Sequence, residues 1–148
     1  MWNGKTISII LPTYNEKDSI RHCIISFFNT GVVDEVVVVN NNSVAGTSEE
    51  VRGTGAREVF EKRQGYGAAI RRGFHEAKGD LIVGCAPDGT FSEEDMFKLL
   101  AYSMDHDIVF GSRTVKEFIW SGSNMGGFLR WGNYGVAKLM EVLFNTNS

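Results

Sequence analysis

The chain has 148 residues, of which 43% are hydrophobic and 11% are aromatic, and its formal net charge is −3 at pH 7. This length and composition predict one domain with a substantial hydrophobic core, and they exclude a disordered chain. Because the charge is weakly negative and has no basic block behind it, the composition argues against a nucleic-acid-binding surface. It favours small-molecule partners.

The cysteines and the N-terminus both indicate a cytoplasmic protein. Cys23 and Cys85 lie in apolar surroundings without a CxxC spacing, so we expect reduced core residues. The chain enters its first apolar run without a signal-peptide pattern, and no apolar run reaches the roughly 18 residues that a membrane span needs. We therefore expect a soluble chain that is at most peripheral to the cytoplasmic face of a membrane.

Apolar runs and helical periodicity alternate along the chain. The predicted elements are, in order, a strand at 7–11, a helix between Asn15 and Gly31, a strand at 35–40, a helix at 47–52, a strand at 58–61, a helix at 68–78, a strand at 81–85, a helix after Ser92, a strand at 108–110 and a helix at 134–144. This alternation predicts an α/β fold with a mostly parallel sheet that is covered by helices on both faces.

Several details of these elements are specific enough to test. Pro12 is expected to end the first strand, and Asn15 is expected to be the N-cap of the first helix. Ile70, Phe74 and Ala77 recur at helical spacing, which predicts that they share the buried face of the helix at 68–78.

Three polar loops follow predicted strands, at 12–16, 40–43 and 86–90. Right-handed crossovers between parallel strands place these loops at one edge of the sheet, where ligands bind in open α/β folds. The helix at 134–144 is apolar and is followed by only four polar residues. We therefore expect one domain, residues 1–148, that is incomplete at its C-terminus.

Asp88 lies in the last of these loops, directly after the strand at 81–85. Its position at a strand end makes it a candidate for a metal or phosphate site. Pro-Asp-Gly is also common turn chemistry, and a turn without further function is the alternative interpretation.

Gly65-Tyr66-Gly67 precedes a helix and could direct backbone N–H groups at a diphosphate, although a tight turn explains the glycines as well. Arg71 and Arg72 lie one turn further along. One of them could contact phosphate, and the alternative is that both face solvent.

Several short motifs occur in the order that is typical of one enzyme family. They are Ile-Ile-Leu-Pro-Thr-Tyr-Asn-Glu at 9–16, Val-Val-Val-Val-Asn-Asn-Asn-Ser at 36–43, Gln-Gly-Tyr-Gly-Ala-Ala-Ile-Arg-Arg-Gly at 64–73, Pro-Asp-Gly-Thr-Phe at 87–91 and Gly-Ser-Arg at 111–113. Together they resemble family 2 glycosyltransferases, especially the branch of dolichyl-phosphate mannose synthases and other polyprenyl-phosphate sugar transferases. The resemblance implies the Rossmann-like nucleotide-diphospho-sugar transferase fold, also called GT-A.

The resemblance also implies site residues. Those it assigns to nucleotide or donor binding are Pro12, Tyr14, Glu16, Asn40, Asn42, Gly65, Arg71, Asp88 and Arg113. Asn40 stands where the family usually has an aspartate that faces the base. Asp88 matches the second acid of the metal-binding motif, which implies a catalytic role in holding Mg²⁺ or Mn²⁺ on the donor diphosphate.

The chain departs from the family pattern at two positions. Ala86 stands where the family has the first metal-binding acid, and Ala45 replaces another common aspartate. One metal carboxylate therefore remains where two are usual.

The resemblance implies a metal-assisted, inverting transfer of a sugar from a UDP- or GDP-sugar to an acceptor, with polyprenyl phosphate as the expected acceptor. The alternative is an inactive or binding-only nucleotide-sugar domain, and a nucleotidyltransferase is disfavoured because the start of the chain lacks a Gly-rich basic loop. The aromatic segment 118–131 suggests contact with a lipid acceptor, a membrane surface or a second copy of the chain, and the alternative is that its apolar side chains simply pack on the sheet.

Overall fold

A computed structural model describes residues 1–111, and residues 112–148 lie outside the described part. The chain divides into two compact units, Met1–Val109 and Phe110–Ser148, and the first contains every element below. The elements are β1 (Ile7–Thr13), α1 (Lys17–Asn29), β2 (Glu35–Asn40), α2 (Thr47–Val51), β3 (Arg57–Phe60), α3 (Tyr66–Glu76), β4 (Leu81–Gly84) and α4 (Glu93–Tyr102).

The four strands form one sheet in the order β3-β2-β1-β4, and all three neighbouring pairs are parallel. Ile9 lies opposite Val36 on one side and opposite Val83 on the other, which fixes the register of the centre. The β-branched run of β2 is internal to the sheet, as predicted for a strand that is apolar on both faces. The predicted α/β fold with a parallel sheet is confirmed.

The hydrophobic core lies on both faces of this sheet because successive strand residues point to opposite sides. The buried residues of the face covered by α1, α2 and α4 are Ile7, Ile9, Leu11, Ile20, Ile24, Phe27, Val36, Val38, Val51, Cys85, Met96 and Leu100. Those of the face covered by α3 are Ile10, Val37, Val39 and Ala69. The prediction that helices cover both faces is therefore confirmed.

The packing of α3 differs from the prediction. Its buried residues are Ala69 and Gly73, whereas Phe74 is 52% exposed. A Cβ atom at Gly73 would overlap Cγ2 of Ile10, so the helix approaches the sheet at a position without a side chain. The face of α3 that packs on the sheet is thus centred on small residues. The prediction for Phe74 was wrong because a pattern of apolar residues at helical spacing does not count glycine.

The first strand also differs from the prediction, because β1 continues through Pro12 to Thr13. Cys85 donates its backbone N–H to the carbonyl of Ile10, and the next two bonds of the β1–β4 ladder would need the N–H groups of Pro12 and Pro87. On the other side Pro12 pairs in register with Val39 of β2. Pro12 therefore ends the pairing with β4 but does not end the strand.

Three smaller predictions need correction. The N-cap of α1 is Glu16 and not Asn15, because the carboxylate of Glu16 holds the preceding turn. The helix α3 begins at Tyr66, two residues earlier than predicted. Residues 108–110 form no strand in the described part of the chain, since no described strand pairs with them and Ile108 is 71% exposed.

Within residues 1–111, no helix is long and apolar enough to cross a membrane.

Candidate functional site

The order of the strands places a crevice between β1 and β4. The chain adds β2 and then β3 on one side of β1, and it adds β4 on the other side. The direction in which strands are added therefore reverses between β1 and β4. Ligands of open α/β sheets bind at such a point, beyond the carboxyl ends of the strands. Here the hydrogen bonds between the two strands end before Pro12 and Pro87, neither of which has a backbone N–H group.

The loops after β1 and β2 form one hydrogen-bonded rim beside this crevice. The carbonyl of Thr13 accepts hydrogen bonds from the backbone N–H of Asn41 at 3.0 Å and from the hydroxyl of Ser43 at 2.7 Å. Val44 N–H donates to the carbonyl of Tyr14 at 2.9 Å. The structure thus brings the loops predicted at 12–16 and 40–43 together.

Glu16 shapes the first of these loops. One carboxylate oxygen accepts the backbone N–H groups of Tyr14 at 2.6 Å and Asn15 at 2.9 Å, and the hydroxyl of Thr13 at 3.3 Å. Tyr14 remains 48% exposed, and Pro12 is buried in β1. Of the three residues predicted to hold the nucleoside, Tyr14 therefore presents the most accessible surface.

Asn40 is buried at the end of β2 and is fully engaged. Its amide nitrogen donates to Oε1 of Glu58 at 2.8 Å and to the hydroxyl of Ser48 at 3.3 Å, and its oxygen accepts the backbone N–H of Ser43 at 2.9 Å. An aspartate could not donate to Glu58. The carboxylate beside Asn40 therefore comes from Glu58 of β3, a residue that was not predicted from the sequence.

The next two asparagines contact the connection between β3 and α3. The buried amide of Asn41 bonds the backbone of residues 61, 63 and 65, and Asn42, at a positive φ of 57°, donates to Lys62 O at 3.2 Å and to Gln64 Oε1 at 2.9 Å. Asn41 was not among the predicted site residues. The run of three asparagines after a buried strand was the available signal, since such residues bond to nearby backbone in turns.

The start of α3 lies at the end of this connection. Gly65 is the N-cap of α3, with a φ of 130° that favours glycine. Arg72 pairs with Glu76 at 2.8 Å, whereas Arg71 forms no ion pair with any described residue. Arg71 borders an open depression of about 300 Å³ whose lining residues are Glu61, Arg63, Ala68, Arg71, Arg72 and His75.

Asp88 stands on the opposite rim of the crevice, in an exposed turn after β4. Its Oδ1 accepts the backbone N–H of Thr90 at 3.0 Å and the Thr90 hydroxyl at 2.6 Å. The turn is fastened to α1, because the hydroxyl of Ser19 donates to the carbonyl of Pro87 at 2.5 Å. Asp88 Oδ2 makes no hydrogen bond to residues 1–111, so it remains available to a ligand.

The groups nearest to this turn have shifted pKa values. Burial raises the pKa of Cys85 to about 12, with the charges of Cys23 and Asp88 adding to the effect. Burial also raises the pKa of Tyr66, and again Cys85 and Asp88 contribute. The charge of Asp88 thus adds to the effect of burial at both Cys85 and Tyr66.

Among the described residues, no group of three or more His, Cys, Asp or Glu side chains could hold a metal ion. Ala86 contributes no side-chain oxygen, so Asp88 is the carboxylate that the predicted motif leaves at this turn. A hydrated cation that also binds diphosphate oxygens needs only one or two carboxylates, and Asp88 fits that limited role.

Two parts of the predicted site lie outside the described residues. They are Arg113 and the aromatic segment 118–131.

The chain matches the family model for Glycosyl transferase family 2 over residues 8–135. It is 33% identical over 118 residues to the dolichol-phosphate mannosyltransferase of Pyrococcus furiosus, a match that covers 74% of this chain and 34% of the relative. It is 28% identical over 130 residues to the undecaprenyl-phosphate 4-deoxy-4-formamido-L-arabinose transferase of Aeromonas hydrophila, covering 78% of this chain and 39% of the relative. The chain thus spans little more than a third of these proteins.

Solved structures of glucosyl-3-phosphoglycerate synthase from Mycobacterium tuberculosis are similar in fold. The complex of that enzyme with Mn²⁺, UDP-glucose and phosphoglyceric acid superposes with a TM-score of 0.62 at 28% identity, over 70% of this chain and 41% of the enzyme. Its complex with Mg²⁺ and UDP gives a TM-score of 0.61 at 26% identity, over 70% and 41% of the two chains. The chain therefore belongs to glycosyltransferase family 2 and has the GT-A fold.

Proposed function

We propose that the chain is the donor-binding part of a glycosyltransferase that transfers a sugar from a UDP- or GDP-sugar to a polyprenyl phosphate. The observation that carries this proposal is the switch point between β1 and β4, where the pairing of the two strands ends beyond the bond from Cys85 to Ile10. The loop of Tyr14 and Glu16 borders it on one side, and the turn of Asp88 borders it on the other. The relatives that act on dolichol phosphate and undecaprenyl phosphate support the choice of acceptor.

Different groups of the described residues are proposed to bind different parts of the donor. Pro12, Tyr14 and Glu16 form the loop proposed to hold the nucleoside, with Asn40 and Asn42 at the end of β2. The start of α3 after Gly65 offers the N–H groups of a helix terminus, and Arg71 offers a cation without an ion-pair partner among residues 1–111. These groups suit the two phosphates of the donor. Arg113 is proposed to contribute to the same site.

Asp88 is proposed to hold Mg²⁺ or Mn²⁺ together with the donor diphosphate. When bound, the cation neutralises the negative charge that develops on the leaving nucleoside diphosphate. Asp88 is held in position for this task by Thr90 and by the fastening of its turn to α1.

The chemistry of the acceptor determines how much help the transfer needs from a general base. A polyprenyl phosphate is already an anion at neutral pH, so its oxygen can displace the nucleoside diphosphate directly, with inversion at the sugar carbon and little help from a general base. The segment 118–131 is proposed to border the path of the lipid, and contact with a membrane surface or a second copy of the chain would follow from its apolar residues.

A binding-only domain is the second candidate. It is favoured by Ala86, which leaves Asp88 as the carboxylate of the turn, and by the absence of a complete metal-ligand cluster among residues 1–111. Such a domain would bind the nucleotide sugar without transferring it.

Calorimetric titration with UDP and with GDP, each with and without Mn²⁺, tests nucleotide binding. We expect heat of binding for at least one nucleotide and a tighter complex with Mn²⁺. Lack of binding by both nucleotides would contradict both candidates. Incubation of the full chain with UDP- and GDP-sugars and undecaprenyl phosphate then separates the candidates, because only the enzyme forms a glycosylated lipid phosphate that mass spectrometry detects.

A further inference from the structure

The connection between β3 and α3, residues 61–65, is held mainly from the end of β2. Lys62, Arg63 and Gln64 are exposed, and Gly65 adopts a φ of 130°. The connection leads directly into α3, which carries the helix terminus and the arginine that are proposed to face the donor diphosphate. Its conformation therefore decides where those groups lie.

Asn41 makes most of the bonds that hold this connection. Its Nδ2 donates to the carbonyl of Glu61 at 2.8 Å and to the carbonyl of Arg63 at 2.9 Å. Its Oδ1 accepts the backbone N–H of Gly65 at 2.8 Å and the side-chain N–H of Gln64 at 3.4 Å. The residue is 4% exposed, and both donors and the acceptor of its amide are satisfied by protein.

This set of partners requires an amide. Two partners are carbonyl oxygens, which need N–H donors, and a third is an N–H group, which needs an acceptor. A carboxylate at position 41 could accept from Gly65, but its oxygens would repel the two carbonyls. Such a carboxylate would also be buried, which disfavours its charged form.

We propose that Asn41 is a positioning residue that fixes residues 61–65 and thereby sets the start of α3 against the diphosphate of the nucleotide sugar. This inference rests on the proposed function, because it names the residue that orders the diphosphate end of the same site. It predicts that loosening Asn41 weakens the binding of a nucleoside diphosphate more than the binding of the nucleoside.

Asn41→Asp gives a test that depends on pH. Burial disfavours the charged form of the new carboxyl group, so a larger share of it is protonated at pH 5 than at pH 8, and the protonated form can donate its O–H to one of the two carbonyls. At pH 8 it is charged and donates to neither. Relative to the natural chain at the same pH, we expect UDP affinity to fall at least tenfold at pH 8 and to recover most of that loss at pH 5.

Two controls separate positioning from charge. Asn29→Asp introduces the same charge at an exposed position at the end of α1 and should follow the natural chain at both pH values. Asn41→Ala carries no charge, so it should also weaken UDP binding if the hydrogen bonds matter, whereas simple repulsion of UDP by the new carboxylate predicts no loss in this variant. Uridine affinity should change less than UDP affinity in both variants of Asn41.

Hydrogen–deuterium exchange in the absence of nucleotide measures directly how firmly the connection is held. In Asn41→Asp at pH 8, the amides of residues 61–69 should exchange faster than in the natural chain, and the difference should shrink at pH 5.

Should Asn41→Ala fail to fold, the two pH values of Asn41→Asp still carry the test. Unchanged exchange together with unchanged UDP affinity would overturn the inference and leave the proposed function standing. If the natural chain binds neither UDP nor GDP, the proposed function fails and the nucleotide part of this inference fails with it, whatever the exchange shows.

Discussion

At the scale of single residues, Asp88 and its neighbour Ala86 decide how strongly a metal can contribute. Asp88 uses Oδ1 for its own turn, and Oδ2 is available within the described part of the chain. Hard divalent cations gain affinity from each added carboxylate oxygen, and position 86 lies two residues away at the same strand end. The strength of metal binding should therefore respond to both positions.

Ala86→Asp should raise the Mn²⁺-dependent affinity for UDP or GDP by on the order of 10-fold, which corresponds to about 1.4 kcal/mol. Asp88→Ala should remove the Mn²⁺ dependence. Asp105→Ala, which removes the same charge from an exposed turn, serves as the control and should leave it unchanged. Calorimetric titrations at several Mn²⁺ concentrations measure these effects, and equal metal dependence in all variants would refute the assignment of Asp88.

The two cysteines should react slowly with alkylating reagents in the folded chain. Burial raises the pKa of Cys23 from 9.0 to about 12, assisted by the negative charges of Glu93 and Asp88, and Cys85 reaches a similar value. Because only the thiolate reacts, alkylation by iodoacetamide at pH 7.5 should be about 1,000-fold slower in the folded chain than in guanidinium. Mass spectrometry follows the reaction, and rapid labelling of the folded chain would contradict the burial of these thiols.

At the scale of elements, the helix α3 approaches the sheet closely at Gly73. Any side chain there must displace Ile10, which is fully buried in the centre of β1. The same helix contains Gly67, where an added Cβ would meet nothing within 4 Å. One helix therefore offers a glycine that packing requires and a glycine that packing does not require.

Gly73→Ala should lower the free energy of unfolding by about 1–3 kcal/mol, because a methyl group is forced into a filled core. Gly67→Ala should raise the free energy of unfolding by about 0.5–1 kcal/mol, because alanine is the better helix former. Urea unfolding followed by circular dichroism compares the two. Equal effects in both variants would mean that α3 does not pack on Ile10 as described.

How much of the fold could be predicted from the sequence differs between elements for physical reasons. The run of valines in β2 and the capping Ser92 of α4 are local signals, and the structure agrees with both. Phe74 was misplaced because the approach of α3 depends on the partner surface at Ile10. Asn15 was misplaced as a cap because Glu16 hydrogen-bonds the turn before the helix.

The candidate site shows the same division. The three loops could be placed at one edge because parallel strands share a direction, and this needs only the order of elements. The bonds from Asn40 to Glu58 and from Asn41 to Gly65 join residues 18 and 24 positions apart. Such bonds depend on the register of β2 with β3, which a single sequence does not reveal.

At the scale of the whole molecule, a charged network ties the amino edge of the sheet together, opposite the candidate site. Arg57 pairs with Glu35 and with Glu76, both at 2.9 Å, which links β2, β3 and α3. Partial burial tends to raise the pKa of Glu35, but hydrogen bonds from Ser8 and Arg57 outweigh it and hold the pKa below its usual value. Glu35 therefore stabilises the fold in its charged form.

The sign of this shift predicts how stability depends on pH. Since the pKa of Glu35 is lower in the folded than in the unfolded chain, its contribution is present above its usual pKa of 4.5 and is lost as the pH falls through the folded-state value. Glu35→Gln should cost about 1–2 kcal/mol at pH 7 and make unfolding less sensitive to pH below 4.5. Urea titrations between pH 7 and pH 3 measure both effects.

Glu49→Gln is the matched control for this prediction, because Glu49 is exposed on α2 and its side chain forms no ion pair with the described residues. It should behave like the natural chain across the same pH range. If both variants lose stability equally, the network at the amino edge contributes nothing specific.

The two prolines that follow the last β1–β4 hydrogen bond have a consequence for ligand entry. Neighbouring parallel strands can extend their pairing by thermal fluctuation whenever each residue brings an N–H group, but Pro12 and Pro87 bring none. The hydrogen-bonded pairing of β1 with β4 therefore cannot extend beyond Cys85 as long as this register is kept. The donor that is proposed to bind at this edge would therefore not have to separate paired strands.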